Sequence, residues 1–341
     1  MSLEAGGARS LVKRVVRGGL LALVSVGLIY FLVSRAGLTW SALAHSIAGF
    51  AGWGLACYVV LTCANLALGS LKWLLVLRVS APNQDLHPRL CEAMLATALG
   101  EFVGQAMPVQ AGIALARSFA SHLGVGGSLR GNLGTTIYEQ LFDLIVLCVA
   151  ACTGLLALTL HLGPIGRAGL ILPSILAAVF ISLRLPALLA VGARWLGKSP
   201  SVERSGFFSG FREVAARSTG ISSLALLQLT MLSILRYVAN LMRVVVLLGA
   251  LGMWAYAVPA LIGFPLIQVA GVVPITPGNL GVIEWTWSAV LMSAGATLGA
   301  AALFAVTARM VNIVALSIVT LLLAGVLILP GSLMIWRWRE R

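Results

Sequence analysis

The sequence predicts an all-α integral membrane protein, a polytopic helical bundle arranged as an inverted-topology repeat with two re-entrant helical hairpins. Three observations carry that prediction. The chain is 60% hydrophobic and only 10% charged, against about a quarter charged in soluble domains, and its mean hydropathy is +1.02. Its apolar runs have the length of membrane-crossing helices rather than the roughly ten-residue alternation of barrel strands. Two further apolar regions, 92–125 and 255–297, are interrupted by proline, glycine and charge, and they occupy matching places in the two halves of the chain.

Uninterrupted spans are predicted near 18–38, 47–70, 132–160, 168–192, 220–249 and 303–330. Basic residues at their ends set the orientation, because Lys and Arg collect on the cytoplasmic side. Lys13, Arg14 and Arg17 place the N-terminus in the cytoplasm. Arg35 and His45 fall on the first outer loop, and Lys72, Arg78 and Arg89 mark the return inside. The densest basic stretch holds Arg194, Lys198, Arg204, Arg212 and Arg217, and the tail reads WRWRER; both are expected in the cytoplasm. Within that stretch, segment 205–217 sets Phe207, Phe208 and Phe211 against Arg212, Glu213 and Arg217, the pattern of a short interfacial helix. With these anchors, each interrupted region must cross the membrane an even number of times. Region 92–125 is short for two full crossings and is predicted to enter and turn back; region 255–297 is long enough for two tight spans, and a re-entrant hairpin is the preferred reading there too. One transmembrane domain, 1–341, then divides into a first repeat at 10–162 and a second at 163–335.

The net charge of +13 reads as orientation signal and anionic-lipid contact, not as a nucleic-acid surface. The N-terminal run lacks a small-x-small cleavage site, so a retained first span is expected. Cys57, Cys63, Cys91, Cys148 and Cys152 form no C-x-x-C pair and are expected as small buried residues; His45, His87, His122 and His161 are scattered. No metal and no cofactor are expected. No GxxxxGK[ST] loop is present, so ATP bound to this chain would not drive any transport.

The stretch VPITPGNLGVIE at 273–284 is the most informative. Broken backbone at membrane depth is tolerated only where it is buried in protein or lines a polar cavity. Pro274, Pro277, Gly278 and Gly281 are therefore assigned to the turn of the second hairpin, and Pro108 and Gly112, with the same P-x-x-x-G spacing, to that of the first. Inverted repeats with interrupted helices are a signature of secondary transporters, with the site near the midplane.

Charges at membrane depth cost roughly 2.5–3.5 kcal/mol each on the lenient insertion scale, so each implies a partner or water. Glu101, Arg117, Glu139, Asp143, Arg236, Arg243, Glu284 and Arg309 are such charges. Glu139 and Asp143 share a helix face by their spacing of four, and Arg309 and Asn312 share one by their spacing of three. Glu139 or Asp143 is expected to face Arg309, and Arg117 to approach Glu284, across a pseudo-two-fold axis. Arg236, Asn240 and Arg243 share a face as well. Arg243 lies close enough to the outer end to snorkel, whereas Arg236 is mid-span. Arg236 is expected to meet either an anionic lipid phosphate or a carboxylate, Glu101 or Glu284. Two readings stay open for the whole set: ion pairs that fix helix register, or a polar cavity that receives a lipid headgroup at Arg117, Glu139, Asp143, Arg236, Arg243, Glu284 and Arg309.

Three stretches together, GQAMPVQAG with Arg117, YEQLFD at 138–143 and PITPGNLGVIE at 274–284, resemble the lysylphosphatidylglycerol-synthase transmembrane-region family over about 10–330. YEQLFD resembles a Glu-Arg-x-x-Asp stretch of that family, with Gln140 where arginine is usual. Asn279 stands in place of the common second glycine of the turn. The resemblance implies a protein of the inner membrane that translocates a lipid with a charged or glycosylated headgroup. The partners it implies are a membrane phospholipid or glycolipid and a separate cytoplasmic or membrane enzyme; homo-oligomerisation is left open. After Leu329 only about a dozen residues remain, so the expectation is that this chain does not itself make aminoacylated lipid. The competing functions are a membrane scaffold for a lipid-modifying glycosyltransferase or synthase and, less favoured, an intramembrane lipid transferase, for which Glu139 with Asp143 is the only close carboxylate pair.

Overall fold

A computed structural model describes residues 23–50, 52–80, 89–105, 109–125, 129–160, 162–196, 220–272 and 276–328. These residues form helices and short turns: α1 (Leu23–Arg35), α2 (Trp40–Phe50), α3 (Trp53–Ser80), α4 (Leu90–Val103), α5 (Val109–Val125), α6 (Leu129–Thr159), α7 (Pro164–Gly169), α8 (Ile171–Leu196), α9 (Ser223–Ala250), α10 (Ala257–Val272), α11 (Val282–Ser293) and α12 (Leu298–Ile328). Six segments are long and apolar enough to cross a membrane, and α1 with α2 makes a further, sharply bent pair. The chain is a multi-pass membrane protein. The terminal segments, the 205–217 segment, Pro108 and Pro274 lie outside the described residues.

The N-terminal spans differ from expectation. The sequence reading placed one crossing at 47–70, but the helix starts at Trp53 and runs to Ser80. Residues before it form the separate helix α2, which meets α1 at 93°. Gly37 (φ +62°) and Gly52 (φ +87°) supply the left-handed residues at the two ends of α2. The Thr39 hydroxyl accepts from the Ala42 amide at 3.2 Å and caps its start. His45 is thus part of a helix, not of a simple loop.

Helix α3 is central and packs most extensively against α9, and also against α4, α6 and α12. One apolar cluster joins Phe50, Leu248, Phe264, Trp287, Leu291 and Phe304 across α2, α9, α10, α11 and α12. A second joins Val76, Phe142, Leu185 and Leu229, which brings α8 onto α6 and α9. Leu66, Met94, Ala98, Leu316 and Val319 form a third, between α3, α4 and α12. The cysteines depart from expectation: Cys57, Cys148 and Cys152 are exposed on the outside of the bundle. At spanning depth that surface faces lipid, which accepts a small apolar thiol as readily as a core does.

Helices α4 and α5 fold back on each other as one hairpin, and α10 and α11 as another. Neither first-hairpin helix matches the long spans: α4 has 14 residues and α5 has 17. Gly100 and Gly112 let their backbones touch. A Cβ on Gly100 would lie 2.5 Å from the Ile113 Cα, and one on Gly112 would lie 2.5 Å from the Gly100 carbonyl oxygen. Gly112 therefore does not form the turn as expected. It sits inside α5, and its missing side chain serves close helix packing. In the second hairpin Gly263 faces Val290, and Gly271 faces Ile283. Its α11 has 12 residues, about 18 Å of rise. Its turn is a 3-10 segment, Pro277–Asn279, in which Gly278 (φ +58°) and Asn279 (φ +52°) are left-handed. Gly281 (φ +84°) then caps α11.

The two turns meet. A Cβ on Gly278 would collide with the Gln105 carbonyl at the end of the first hairpin's inbound arm. Helix α1 braces the second turn from outside: the Trp285 indole donates to the Leu28 carbonyl at 3.1 Å, and Phe31 stacks on Trp285 at 5.8 Å.

Gly112→Ala is expected to force the first hairpin apart and to cost about 1–3 kcal/mol, the usual penalty of overpacking. Gly325→Ala, a helical position with open space around its Cβ, is expected to be neutral or stabilising by up to about 1 kcal/mol. Thermal unfolding of both variants in detergent micelles measures the contrast.

Candidate functional site

The site begins with one face of α3. Tyr58, Thr62, Asn65, Gly69 and Lys72 recur at spacings of four, three, four and three, which stacks them on one side of a helix. Lys72 is fully buried. Its Nζ lies 3.0 Å from Glu139 Oε1 and 2.5 Å from Asp143 Oδ1 on α6. The sequence reading took Lys72 for an orientation signal at a span end. The structure corrects this: α3 continues for eight residues beyond it, so Lys72 sits too deep to reach water. The recurring polar and small residues of α3 were the available signal.

Glu139 also accepts from Arg117 Nη1 at 2.7 Å. Arg117 spends its other donors on the Gly69 carbonyl at 3.0 Å and the Thr97 hydroxyl at 3.0 Å, and lies over the Trp73 ring at 5.3 Å. At the other end Asp143 Oδ2 accepts from Arg236 Nη1 at 2.7 Å, and Arg236 Nη2 reaches Glu101 Oε1 at 3.2 Å. The result is a chain of alternating sign: Arg117, Glu139, Lys72, Asp143, Arg236, Glu101. It ties α3, α4, α5, α6 and α9 together. Its exposure is graded: Glu139 and Lys72 are 0% exposed, while Asp143 reaches 27%.

The second hairpin has its own pair. Arg309 Nε on α12 bonds Glu284 Oε1 on α11, and Arg309 Nη2 donates to the Gly278 carbonyl in the turn at 3.3 Å. The other Glu284 oxygen accepts the Gly281 amide at 2.7 Å, completing the cap of α11. Thus Glu284 stabilises the helix start and Arg309 holds the turn.

The pairings expected across the pseudo-two-fold axis do not form. Arg117 bonds Glu139 rather than Glu284, and Arg309 bonds Glu284 rather than Glu139 or Asp143. The reason is packing: α5 lies on α6, and α11 lies on α12. Each hairpin charge therefore meets the helix that follows it. Of the two carboxylates considered for Arg236, Glu101 is a partner and Glu284 is not.

Between these two ion systems lies a polar strip that contains no carboxylate. Asn65 Oδ1 accepts from both Arg236 Nε and Asn240 Nδ2 at 3.1 Å. Asn240 Oδ1 accepts from Arg243 Nη1 at 3.0 Å. Arg243 Nη2 donates to the Tyr58 hydroxyl at 3.0 Å and to Asn312, and its guanidinium stands 4.6 Å from the Tyr58 ring centroid. The shared face expected for Arg236, Asn240 and Arg243 is present.

A cavity of about 470 Å³ opens beside this strip. Of the seven residues proposed from sequence to meet a headgroup, Asp143, Arg236, Arg243, Glu284 and Arg309 line it, whereas Arg117 and Glu139 are sealed behind it. Gly278 and Gln105, from the two turns, contribute to its wall. Helix α6 adds Ile137, Leu141, Leu144 and Leu147 to the lining, beside Gln140 and Asp143 of the same helix. The lining is amphipathic, combining charged side chains with aliphatic ones.

Glu139 neutralises two cations at once, so Glu139→Gln is expected to cost about 3–5 kcal/mol, as removing one member of a buried ion pair does. Adding Arg117→Met to that variant is expected to recover part of the loss, because the orphaned guanidinium is gone. Thermal midpoints of wild type, single and double variants in micelles measure this; equal midpoints would contradict it.

No curated protein and no solved structure was found to match the chain. A family match does exist, over residues 19–338, and it takes in both hairpins, the alternating charge chain and the cavity. The chain belongs to the family described as lysylphosphatidylglycerol synthase TM region.

Proposed function

We propose that this protein translocates a lipid across the inner membrane, passing its headgroup through the cavity between the two hairpin turns. The family points to a lipid-related role in the membrane. The observation that carries the finer reading is the amphipathic cavity itself. A lipid has a polar end and an aliphatic end, and the lining offers groups for each: Arg236, Asn240 and Arg243 for the headgroup, Leu141, Leu144 and Leu147 for a chain. A charged space at this depth is costly unless it is used or filled, and its location where interrupted helices converge is that of transporter sites.

The order of elements supports the inverted repeat. Two helices, a hairpin and a long helix occur as α1, α3, α4–α5 and α6, and again as α8, α9, α10–α11 and α12. The closing helices α6 and α12 each have 31 residues. Although Trp254–Val272 is long enough to cross, its partner α11 rises only about 18 Å against a hydrocarbon core of about 30 Å. Both hairpins are therefore read as re-entrant, dipping from opposite faces. In this reading each closing helix carries a charge of opposite sign to its hairpin, Glu139 for Arg117 and Arg309 for Glu284.

In vesicles reconstituted with the purified chain, fluorescent phospholipids are expected to exchange leaflets at least tenfold faster than in empty vesicles, and Asn240→Leu is expected to remove most of that acceleration. No acceleration with anionic, zwitterionic and glycosylated lipids alike would contradict translocation and favour a scaffold. In a cysteine-free background, Gln110→Cys is expected to react with impermeant reagent from the cytoplasm and Thr276→Cys from outside. Reaction of both from one side would contradict the opposed hairpins.

A further inference from the structure

Every carboxylate of the cavity is already committed. Glu101 is paired with Arg236. Asp143 serves both Lys72 and Arg236. Glu284 serves Arg309 and the Gly281 amide. The cations are not balanced in the same way. Among the described residues of these networks, Lys72, Arg117, Arg236, Arg243 and Arg309 face Glu101, Glu139, Asp143 and Glu284, so one positive charge is left over. That charge is Arg243. Its three hydrogen bonds go to Asn240, Tyr58 and Asn312, which are neutral acceptors that orient a guanidinium without neutralising it. A guanidinium has five donors, and Arg243 Nε is buried with no partner among the described residues.

We propose that Arg243 receives the phosphate of a lipid, and that the cavity selects anionic headgroups over cationic ones. The inference deepens the translocation reading, since it rests on the cavity admitting a lipid, but it concerns binding and not movement. Arginine is suited to a phosphate because it keeps its charge, and two of its five donors, Nε–H and one on Nη1, remain once Asn240, Tyr58 and Asn312 are served. Asn240 and Asn312 hold the guanidinium from α9 and α12, and Tyr58 holds it from α3, so the receptor is fixed before the ligand arrives. An aminoacylated headgroup keeps that phosphate but adds ammonium groups beside it. To bind here it would have to take Glu101, Asp143 or Glu284 away from an existing partner and leave a buried arginine or lysine uncompensated. The aliphatic side chains of Ile137, Leu141 and Leu144 in the lining favour a phosphate attached to acyl chains over a free one.

The test is native mass spectrometry of the full chain in micelles with phosphatidylglycerol, lysylphosphatidylglycerol and diacylglycerol. Wild type is expected to hold phosphatidylglycerol at least tenfold more tightly than either of the other two. Arg243→Gln is expected to bring phosphatidylglycerol down to the level of diacylglycerol, and Arg243→Lys to restore part of the difference. Millimolar glycerol 3-phosphate is expected to leave bound phosphatidylglycerol in place. Equal or tighter binding of lysylphosphatidylglycerol by wild type would overturn the proposal without any variant having to fold. So would full phosphatidylglycerol binding by an Arg243→Gln protein of unchanged thermal midpoint. Displacement by glycerol 3-phosphate would reassign the site to a soluble phosphate and overturn the lipid. Selective binding with no leaflet exchange in vesicles would defeat translocation and leave this inference standing; leaflet exchange with no selectivity would do the reverse.

Discussion

A charge held in hydrocarbon needs its opposite or a polar cavity within reach, and the alternating chain from Arg117 to Glu101 supplies the opposite for six side chains at once. Much of the remaining architecture follows from it. The chain can close only if α3, α4, α5, α6 and α9 converge, so electrostatics fixes helix positions that apolar packing against lipid would leave loosely specified. Gly69 shows how tight the convergence is. A Cβ there would stand 3.3 Å from the Arg236 guanidinium carbon and 3.4 Å from Arg117 Nη2. The small residue lets two guanidiniums approach one backbone, and its carbonyl binds one of them.

The two ends of the system differ in what they can do. The Arg117–Glu139–Lys72 end is sealed, and its role is to hold the first hairpin on α6. The Asp143–Arg236–Glu101 end borders the cavity, and so do Glu284 and Arg309. The second hairpin depends on one arginine for both its helix cap and its turn, since Arg309 engages Glu284 and the Gly278 carbonyl. The first hairpin is anchored by a fully buried pair and by a glycine–glycine backbone contact. The second turn, through Gly278, lines the same cavity as Arg243.

The amino-acid sequence made the fold class, the two interrupted regions and their helical character readable, because proline, glycine and charge are out of place in lipid-spanning runs. It also singled out five residues that line the cavity. It did not reveal who pairs with whom. Arg117 and Glu284 carry complementary charge, and nothing in one dimension says that each instead meets the helix following its own hairpin. Lys72 was hidden for a different reason. A lysine beside a run of leucines and near Arg78 has the appearance of a span terminus, and only the length of α3 shows otherwise. Gly112 was misplaced because proline–glycine spacing is shared by turns and by close helix contacts. The bend between α1 and α2 was missed because apolar composition continues through it.

A density map of the protein in lipid nanodiscs would test the arrangement most directly. The structure leads us to expect Gly278 seated against Gln105, a chain of six paired charges on one side, and headgroup density within hydrogen-bond reach of Arg243. Two pairs of full-length crossing helices in place of the hairpins, with the turns apart at opposite surfaces and no space between them, would contradict it.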